Sequence, residues 1–111
     1  MSDLRSKHCQ ACEGFTGPMP RHDAERALEQ LHNGWGLDEA GHSIQRAFKF
    51  RNFHETMAFV NAVAWIAHTE DHHPDMAVGY NRCTVQFSTH AVGGLTENDF
   101  ICAARIDALF D

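Results

Sequence analysis

The chain has 111 residues and a formal net charge of −6 with its histidines counted as neutral, a length that fits one domain. Hydrophobic residues make up 43% of it, which is enough for a core without disulfide or metal support. Its 9 Lys and Arg residues form no basic run, which argues against direct nucleic-acid binding, and the absence of a run of about 18 apolar residues argues against a membrane span.

The first segment, residues 1–20, is predicted to be an irregular N-terminal arm. It has no apolar signal-like stretch, so we expect a cytoplasmic protein with reduced thiols. The Gly and Pro residues of GFTGPMPRHD predict that the arm is not a packed element. His8, Cys9 and Cys12 form half of a metal or redox motif, but no second CxxC follows, so two reduced thiols on a mobile arm are the expected state.

One domain is predicted over residues 21–111, and it begins with a helix. In DAERALEQLHN, Asp23 is the expected N-cap. Four apolar residues recur there at helical spacing: Ala24, Ala27, Leu28 and Leu31. SIQRAFKF then predicts a strand that directs Ile44, Phe48 and Phe50 to one face.

The longest predicted helix has the sequence NFHETMAFVNAVAWIAHTE. Asn52 and Glu55 resemble a capping box at its start, and Pro74 cannot continue it. Two offset apolar stripes run along it: Phe53, Met57, Val60, Ala64 and Ala67 in the first, and Phe59, Val63 and Ile66 in the second. A surface helix needs only one stripe. We therefore expect the helix to cover a sheet and to present the second stripe, exposed, to another subunit.

MAVGYNRCTVQFSTH predicts two strands joined by a turn near Tyr80 and Asn81. Alternate residues of the second strand are expected to share one face: Cys83, Val85, Phe87 and Thr89. A last helix starts at Thr96, after a Gly-Gly turn. The order is α-β-β-α-β-β-α, which predicts an α+β domain whose four-stranded antiparallel sheet carries three helices on one face.

Several polar residues stand out against this framework. His72 and His73 lie where the long helix must end, and His90 ends a strand on the polar face with Ser88. Asp99 lies on the apolar, inward side of the last helix, so it needs a partner, and a histidine would suit it. Each also has a structural interpretation: Asp99 as a helix cap, the histidine pair as a solvated helix end, and His90 as part of a wet sheet face.

A metal site is a further alternative, because His68 and His72 are four residues apart. The sequence HTEDH lacks the Glu that directly follows the first His in zinc-protease helices. His72 also lies where the helix ends, so we predict no metal.

The chain resembles the pterin-4a-carbinolamine dehydratase family. The resemblance rests on EDHHPD, on YNRCTVQFSTHAVGGLTENDF and on the spacing between them, and it extends upstream through GW at 34–35 and FKFRNFHETMAFVNAVA, so that it covers residues 28–108. HCQAC also looks like the arm of some bacterial members. The resemblance implies a four-stranded antiparallel sheet with three helices, assembled into homodimers or homotetramers.

The resemblance also implies an activity, the dehydration of a 4a-hydroxy-tetrahydropterin to quinonoid dihydropterin, which recycles the cofactor of aromatic amino-acid hydroxylases. It implies no metal and no cofactor. The implied catalytic residues are His72, His73, His90 and Asp99. The implied substrate contacts are Asp71, His72, His73, Ser88, Thr89, His90 and Ala91. One departure is His68, where several relatives carry Glu.

The chemistry suits these residue types, since loss of water from carbon 4a needs one proton delivered and one removed, and imidazole does either near neutral pH. Asp99 is expected to hold His90 in one tautomer, and the sequence leaves open which of His72 and His90 is the acid. Two other functions remain open. One is a protein-binding module, since some relatives stabilise the dimer of a homeodomain transcription factor; the other is a metal-dependent hydrolase.

Overall fold

Three helices and four strands alternate in the predicted order in the computed structural model, which describes residues 3–11 and 14–111. The helices are α1 (Arg21–Leu28), α2 (Phe53–Glu70) and α3 (Glu97–Asp107). The strands are β1 (Gly36–Leu37), β2 (Ile44–Lys49), β3 (Asp75–Val78) and β4 (Arg82–Phe87). They form one antiparallel sheet in the order β1-β2-β4-β3, which confirms the predicted α+β class.

The core lies between the sheet and α2 and α3. Ile44 pairs with Phe87 across β2 and β4, and Phe48 pairs with Cys83, and all four are buried. The predicted alternation of β4 is confirmed, because Cys83, Val85, Phe87 and Thr89 all point inward. Since β4 is a central strand, its end is held firmly, and it is this end that leads into His90.

The start of α2 contains half of the predicted capping box. The Asn52 side chain accepts a hydrogen bond from the Glu55 backbone N–H at 2.9 Å, as a helix cap should. The Glu55 carboxylate does not return the bond to Asn52. It accepts instead from the backbone N–H of Arg51 at 3.0 Å and from the Arg51 guanidinium, because the longer side chain of Glu55 reaches one residue further back.

Replacing Asn52 with alanine is expected to lower the free energy of unfolding by about 1 kcal/mol, the usual value of an N-cap. Urea denaturation measures the change. Asn61→Ala is the matched control, since Asn61 lies exposed in the middle of α2, and it should be neutral or slightly stabilising. Equal destabilisation by both changes would show that the cap contributes nothing.

The first helix begins three residues earlier than predicted. Pro20, not Asp23, is the N-cap of α1, and the Pro20 carbonyl accepts the first helical hydrogen bond from Ala24 at 3.0 Å. Proline lacks an N–H, but the first residues of a helix need no N–H partner, so its position there costs little. Asp23 lies in the first turn, where its negative charge interacts favourably with the helix dipole.

The prediction that Phe59, Val63 and Ile66 are exposed was wrong. Phe59 and Val63 are buried, and the Phe59 ring lies 4.5 Å from that of Phe48. Two apolar stripes of similar strength do not reveal which of them faces inward. In the structure, a polar residue marks the inward face. The Thr56 hydroxyl, on the same face as Phe59, is buried and donates to the Tyr80 carbonyl at 3.0 Å. The outward face carries Trp65, which is 66% exposed, and Phe53.

The segment that precedes α1 is also more ordered than predicted. Its residues 3–11 lie against α3, with Leu4 buried in the core. Asn98 of α3 pairs with Gln10 through two hydrogen bonds, of 3.0 and 2.8 Å, and Arg105 donates to the Lys7 carbonyl at 3.0 Å. Gly and Pro at residues 14–20 break secondary structure locally, but they do not prevent the residues before them from packing. Cys12 lies outside the described residues.

No helix within residues 3–11 and 14–111 combines the length and the apolar composition needed to cross a membrane.

Candidate functional site

Asp99 joins three segments of the chain at one carboxylate. It is completely buried at the third position of α3. Its Oδ2 accepts from the Thr96 backbone N–H at 2.9 Å and from the Thr89 hydroxyl at 2.8 Å. Its Oδ1 lies 2.6 Å from Nε2 of His72. Asp99 therefore caps α3 and binds a histidine at the same time, so both interpretations of this residue hold.

His72 reaches Asp99 because α2 ends abruptly at Glu70. Asp71 adopts a left-handed conformation with φ of 51°, and the His72 backbone N–H closes the helix end on the Ala67 carbonyl at 3.1 Å. This reversal directs the His72 side chain inward. Its ring stacks on that of Phe87, with 5.9 Å between the centroids and 7° between the planes, and only 8% of the residue remains exposed.

The expected pairing of Asp99 with His90 was wrong, since the partner is His72. Thr89 is the last inward-facing residue of its segment, and it takes the position on Asp99 that His90 was expected to occupy. His90 follows with the opposite orientation. It starts a 3-10 turn, His90–Val92, and its side chain is exposed.

The turn that carries His90 is closed by two glycines. Thr89 and Gly94 pair across it, with the Thr89 N–H donating to the Gly94 carbonyl at 2.7 Å. Gly93 has φ of 69°, a conformation that costs little only for glycine. A Cβ on Gly94 would lie 2.8 Å from the Pro18 side chain. The predicted Gly-Gly turn is thus confirmed, and it fixes the backbone position of His90.

The other predicted site residues lie around this centre. Asp71, His73 and Ala91 are exposed, and Ser88 is half-buried. Thr89 is different, because it is 1% exposed and its hydroxyl is occupied by Asp99 and, at 2.8 Å, by the Thr96 hydroxyl. The Thr89 side chain is therefore not free for a ligand, and a ligand would meet only its backbone.

The two histidines of the metal alternative are separated by the end of α2. His68 is exposed beside Trp65, with 5.4 Å between the rings, whereas His72 is buried on Asp99. Helical i, i+4 geometry ends at Asp71, so it does not place the two imidazoles on one face. Within the described part of the chain, no group of three or more His, Cys, Asp or Glu residues is arranged to hold a metal ion.

Cavity volume does not identify the site. A cavity of about 1170 Å³ lies between α1 and the C-terminal end of α3, where Arg46 and Asp107 contribute to its wall. Another, of about 500 Å³, lies between the N-terminal segment and the end of α2. Neither is lined by His72, His73 or His90, so the candidate site is recognised by its chemistry.

Glu70, the last residue of α2, holds the N-terminal segment beside the site. Its buried carboxylate accepts from the Cys9 backbone N–H at 2.7 Å and lies 2.8 Å from Nδ1 of His8. Burial raises the pKa of Glu70, but the bonds from Cys9 and His8 and the charge of Arg105 outweigh it, so that the pKa lies below its ordinary value.

Glu70 is therefore expected to stabilise the docked segment at neutral pH and to stop doing so in acid. Because its pKa is lowered in the folded state, the contribution is complete above about 4.5, the ordinary value, and is lost as the pH falls through the lowered pKa. An NMR titration of the Cys9 amide should show no change above about 4.5 and a transition below it.

Glu97→Gln is the control for this titration, because Glu97 pairs with Lys7 of the same segment but is exposed. That variant should keep the transition, and Glu70→Gln should abolish it. A transition centred at or above the ordinary carboxyl value would contradict the lowered pKa.

Three features of the site were not predicted from the sequence. The Thr96 hydroxyl bonds Thr89, Phe87 supports the His72 ring, and Glu70 anchors the N-terminal segment. Only the position of Phe87 was indicated by the sequence, through the alternation of β4 that directs its side chain inward. The bond between Thr96 and Thr89 depends on the shape of the turn between them, and the Glu70 anchor depends on a contact between distant segments.

The chain is similar to known proteins over most of its length. Residues 17–109 match the family model described as pterin 4 alpha carbinolamine dehydratase. A protein of Nitrosomonas eutropha, provisionally named a pterin-4-alpha-carbinolamine dehydratase, is 57% identical over 107 residues, which cover 96% of this chain and 93% of the relative. A provisionally named dehydratase of Legionella pneumophila is 57% identical over 108 residues, or 97% and 96% of the two chains.

Solved structures show the same fold. The crystal structure of a transcriptional coactivator/pterin dehydratase from Brucella melitensis superposes with a TM-score of 0.79 and 32% identity, covering 84% of this chain and 98% of that one. A pterin dehydratase-like RuBisCO assembly factor of the alpha-carboxysome shares the fold, with a TM-score of 0.61 and 24% identity over 70% and 90% of the two chains. The chain thus belongs to the pterin 4 alpha carbinolamine dehydratase family.

Proposed function

We propose that the protein converts 4a-hydroxy-tetrahydropterin to quinonoid dihydropterin and water by histidine acid–base catalysis. The observation that carries the proposal is the buried contact between His72 and Asp99 in a chain of this family. The reaction removes the proton on nitrogen 5 and protonates the hydroxyl on carbon 4a, which leaves as water. Both steps are proton transfers, so the proposal requires no metal and no organic cofactor.

His72 is proposed as the general base. An ionised carboxylate only accepts hydrogen bonds, so the hydrogen between Asp99 and His72 belongs to Nε2, and the lone pair of the neutral ring lies on Nδ1. No buried side-chain nitrogen or oxygen in the described part of the chain lacks a partner. Nδ1 of His72 makes no hydrogen bond there, so it is not fully buried, and it is proposed to take the proton from a bound pterin.

His90 is proposed as the acid that protonates the leaving hydroxyl. Thr89 bonds the same carboxylate as His72, so His90, the next residue, starts from a backbone position close to that centre. Its exposed imidazole can approach a ligand from the other side. Because the substrate has two faces, the roles of His72 and His90 can exchange between its stereoisomers.

The remaining residues are proposed to bind and orient the pterin. His73 and Asp71 are exposed on the loop that carries His72, and Ser88 and Ala91 lie on either side of the pair formed by Thr89 and His90. Asp99 is a positioning residue, since it touches His72 and is sealed from solvent. The proposed setting is the recycling of tetrahydropterin for an aromatic amino-acid hydroxylase.

Stopped-flow measurement of carbinolamine dehydration by the purified protein tests the proposal. The protein should accelerate the disappearance of the carbinolamine well beyond its spontaneous dehydration, without added metal and in the presence of a chelator. No acceleration, with the fold confirmed by circular dichroism, would overturn the proposed activity.

A protein-binding role is the second candidate, and the exposure of Trp65 and Phe53 on α2 favours it. We propose that this outward face is the contact surface of a homodimer or homotetramer, or of another protein. It replaces the stripe of Phe59, Val63 and Ile66, which was expected to be exposed but is largely buried. Trp65→Glu should lower the oligomeric state measured by light scattering. An unchanged mass in solution would exclude this surface as the contact between copies of the chain.

A further inference from the structure

Two thiols that the proposed reaction does not use lie side by side next to the site. Sγ of Cys9, on the N-terminal segment, is 3.6 Å from Sγ of Cys102 on α3. A disulfide needs about 2.05 Å between its sulfurs, so closure requires a shift of roughly 1.5 Å. The segment carrying Cys9 has no regular secondary structure at that residue, which allows such a shift without a change in α3.

The anchors around Cys9 hold its thiol in this place. Its backbone N–H donates to Glu70, and the next residue, Gln10, pairs with Asn98 one turn before Cys102. These bonds hold the backbone around the sulfur close to α3, within reach of the small shift that closure requires. The contact between the thiols is therefore set by the docking of the segment and not by a chance rotamer of an unattached arm.

The two thiols differ in access, which gives the reaction an order. Cys9 is half-buried, whereas Cys102 is completely buried. The hydrogen bond with Cys9, burial and nearby carboxylates raise the pKa of Cys102, which keeps it in the unreactive thiol form. Cys9 is consequently the sulfur that meets an oxidant first.

We propose that Cys9 and Cys102 form a reversible disulfide that locks the N-terminal segment onto α3 when the protein meets a peroxide. The Cys9 thiolate attacks hydrogen peroxide, gives sulfenic acid and releases one water after protonation. The Cys102 sulfur then attacks the Cys9 sulfur, and the hydroxyl leaves as a second water with the Cys102 proton. Two electrons and two protons pass from the thiols to the peroxide, and a dithiol reductant restores both thiols.

The cross-link would join distant parts of the chain beside the site. It would close a loop between residues 9 and 102, nearly the whole sequence, and long loops lose the most chain entropy on cross-linking. The Cys102 thiol also lies 3.9 Å from the His72 carbonyl, and the Cys9 amide bonds the last residue of α2. The disulfide would therefore tie the segment to the loop that carries His72.

Peptide mapping of the full-length protein after peroxide treatment and alkylation tests the proposal. We expect a linked pair of peptides containing Cys9 and Cys102, and a loss of two alkylated thiols that dithiothreitol reverses. Thermal unfolding of the oxidised protein should shift upward by at least about 5 °C. A CxxC disulfide between Cys9 and Cys12, or overoxidised Cys9 without a cross-link, would overturn it.

Single substitutions distinguish these results. Cys9→Ser lies on the segment outside the core elements and should abolish both the cross-link and the thermal shift. Cys83→Ser and Cys12→Ser should retain both, because neither residue belongs to the proposed pair. Loss of the cross-link in Cys12→Ser would assign the chemistry to the CxxC motif and reject the pair formed with Cys102.

Discussion

Replacing His72 with alanine is expected to lower the turnover number for carbinolamine dehydration by about 10²-fold or more, the usual contribution of a general acid or base. The reason is geometric. Asp99 orients the His72 ring through Nε2. Among the described residues, His72 has the only imidazole that is bonded to this carboxylate. Alanine removes the proton acceptor and leaves the rest of the proposed binding surface in place. Stopped-flow kinetics at saturating substrate measures the change.

His68→Ala is the control for this variant. His68 lies on the same helix and loop junction, but its side chain is exposed and does not contact Asp99. Its removal should leave the turnover number within about twofold, the range of a surface substitution. A large loss in His68→Ala would revive the metal alternative, since that is the one candidate function that uses His68.

His90→Ala should cause a loss of similar size, about 10²-fold, if the second proton transfer belongs to this residue. The pattern across the two variants separates the possibilities. Near-normal rates in both would end the acid–base proposal. A loss in His72→Ala alone would keep the base and assign the acid to another group, for example to water or to the exposed His73.

Replacing Asp99 with alanine is expected to have the largest effect on stability, about 3 kcal/mol or more. The carboxylate satisfies three buried donors: the Thr96 N–H, the Thr89 hydroxyl and the His72 ring. Alanine leaves all three without their acceptor inside the protein, where each unsatisfied group costs about 1–3 kcal/mol. Urea denaturation, followed by circular dichroism, measures the loss.

Asp99→Asn separates the proposed positioning role of Asp99 from its structural role. An amide oxygen can still accept from the Thr96 N–H, so this variant should lose less stability than Asp99→Ala. It carries no negative charge and offers an N–H in place of one acceptor, so it should favour the wrong His72 tautomer and lower the turnover number. Nitrogen NMR of the imidazole reports the tautomer directly. A wild-type tautomer and a wild-type rate in Asp99→Asn would show that Asp99 serves stability alone.

The features that local sequence encodes were predicted well. The order of helices and strands, the alternation of β4 and the inward position of Asp99 all follow from residues within a few positions of one another. These patterns arise from helical and strand periodicity, which residues close together in the sequence encode. The resemblance in the DHHP and STH motifs then identified the family.

The features that were missed depend on which segments meet. Asp99 was expected to find His90, but the strand period directs Thr89 to it and leaves the approach from α2 open to His72. Phe59 was expected outside because two stripes of equal strength cannot be ranked by counting. The docking of residues 3–11 needs Asn98 and Glu70, which are far away in sequence and carry no local signature of their role.

The shared carboxylate has a consequence for how activity responds to heat. Asp99 closes the first turn of α3 and bonds His72 with the same side chain, so the imidazole loses its hydrogen bond when that turn opens. Warming should leave the proposed activity intact until the whole molecule unfolds, with no preceding phase of gradual inactivation. By the same coupling, solvents that fray the beginning of α3 should abolish the proposed activity at lower concentrations than those that unfold the sheet.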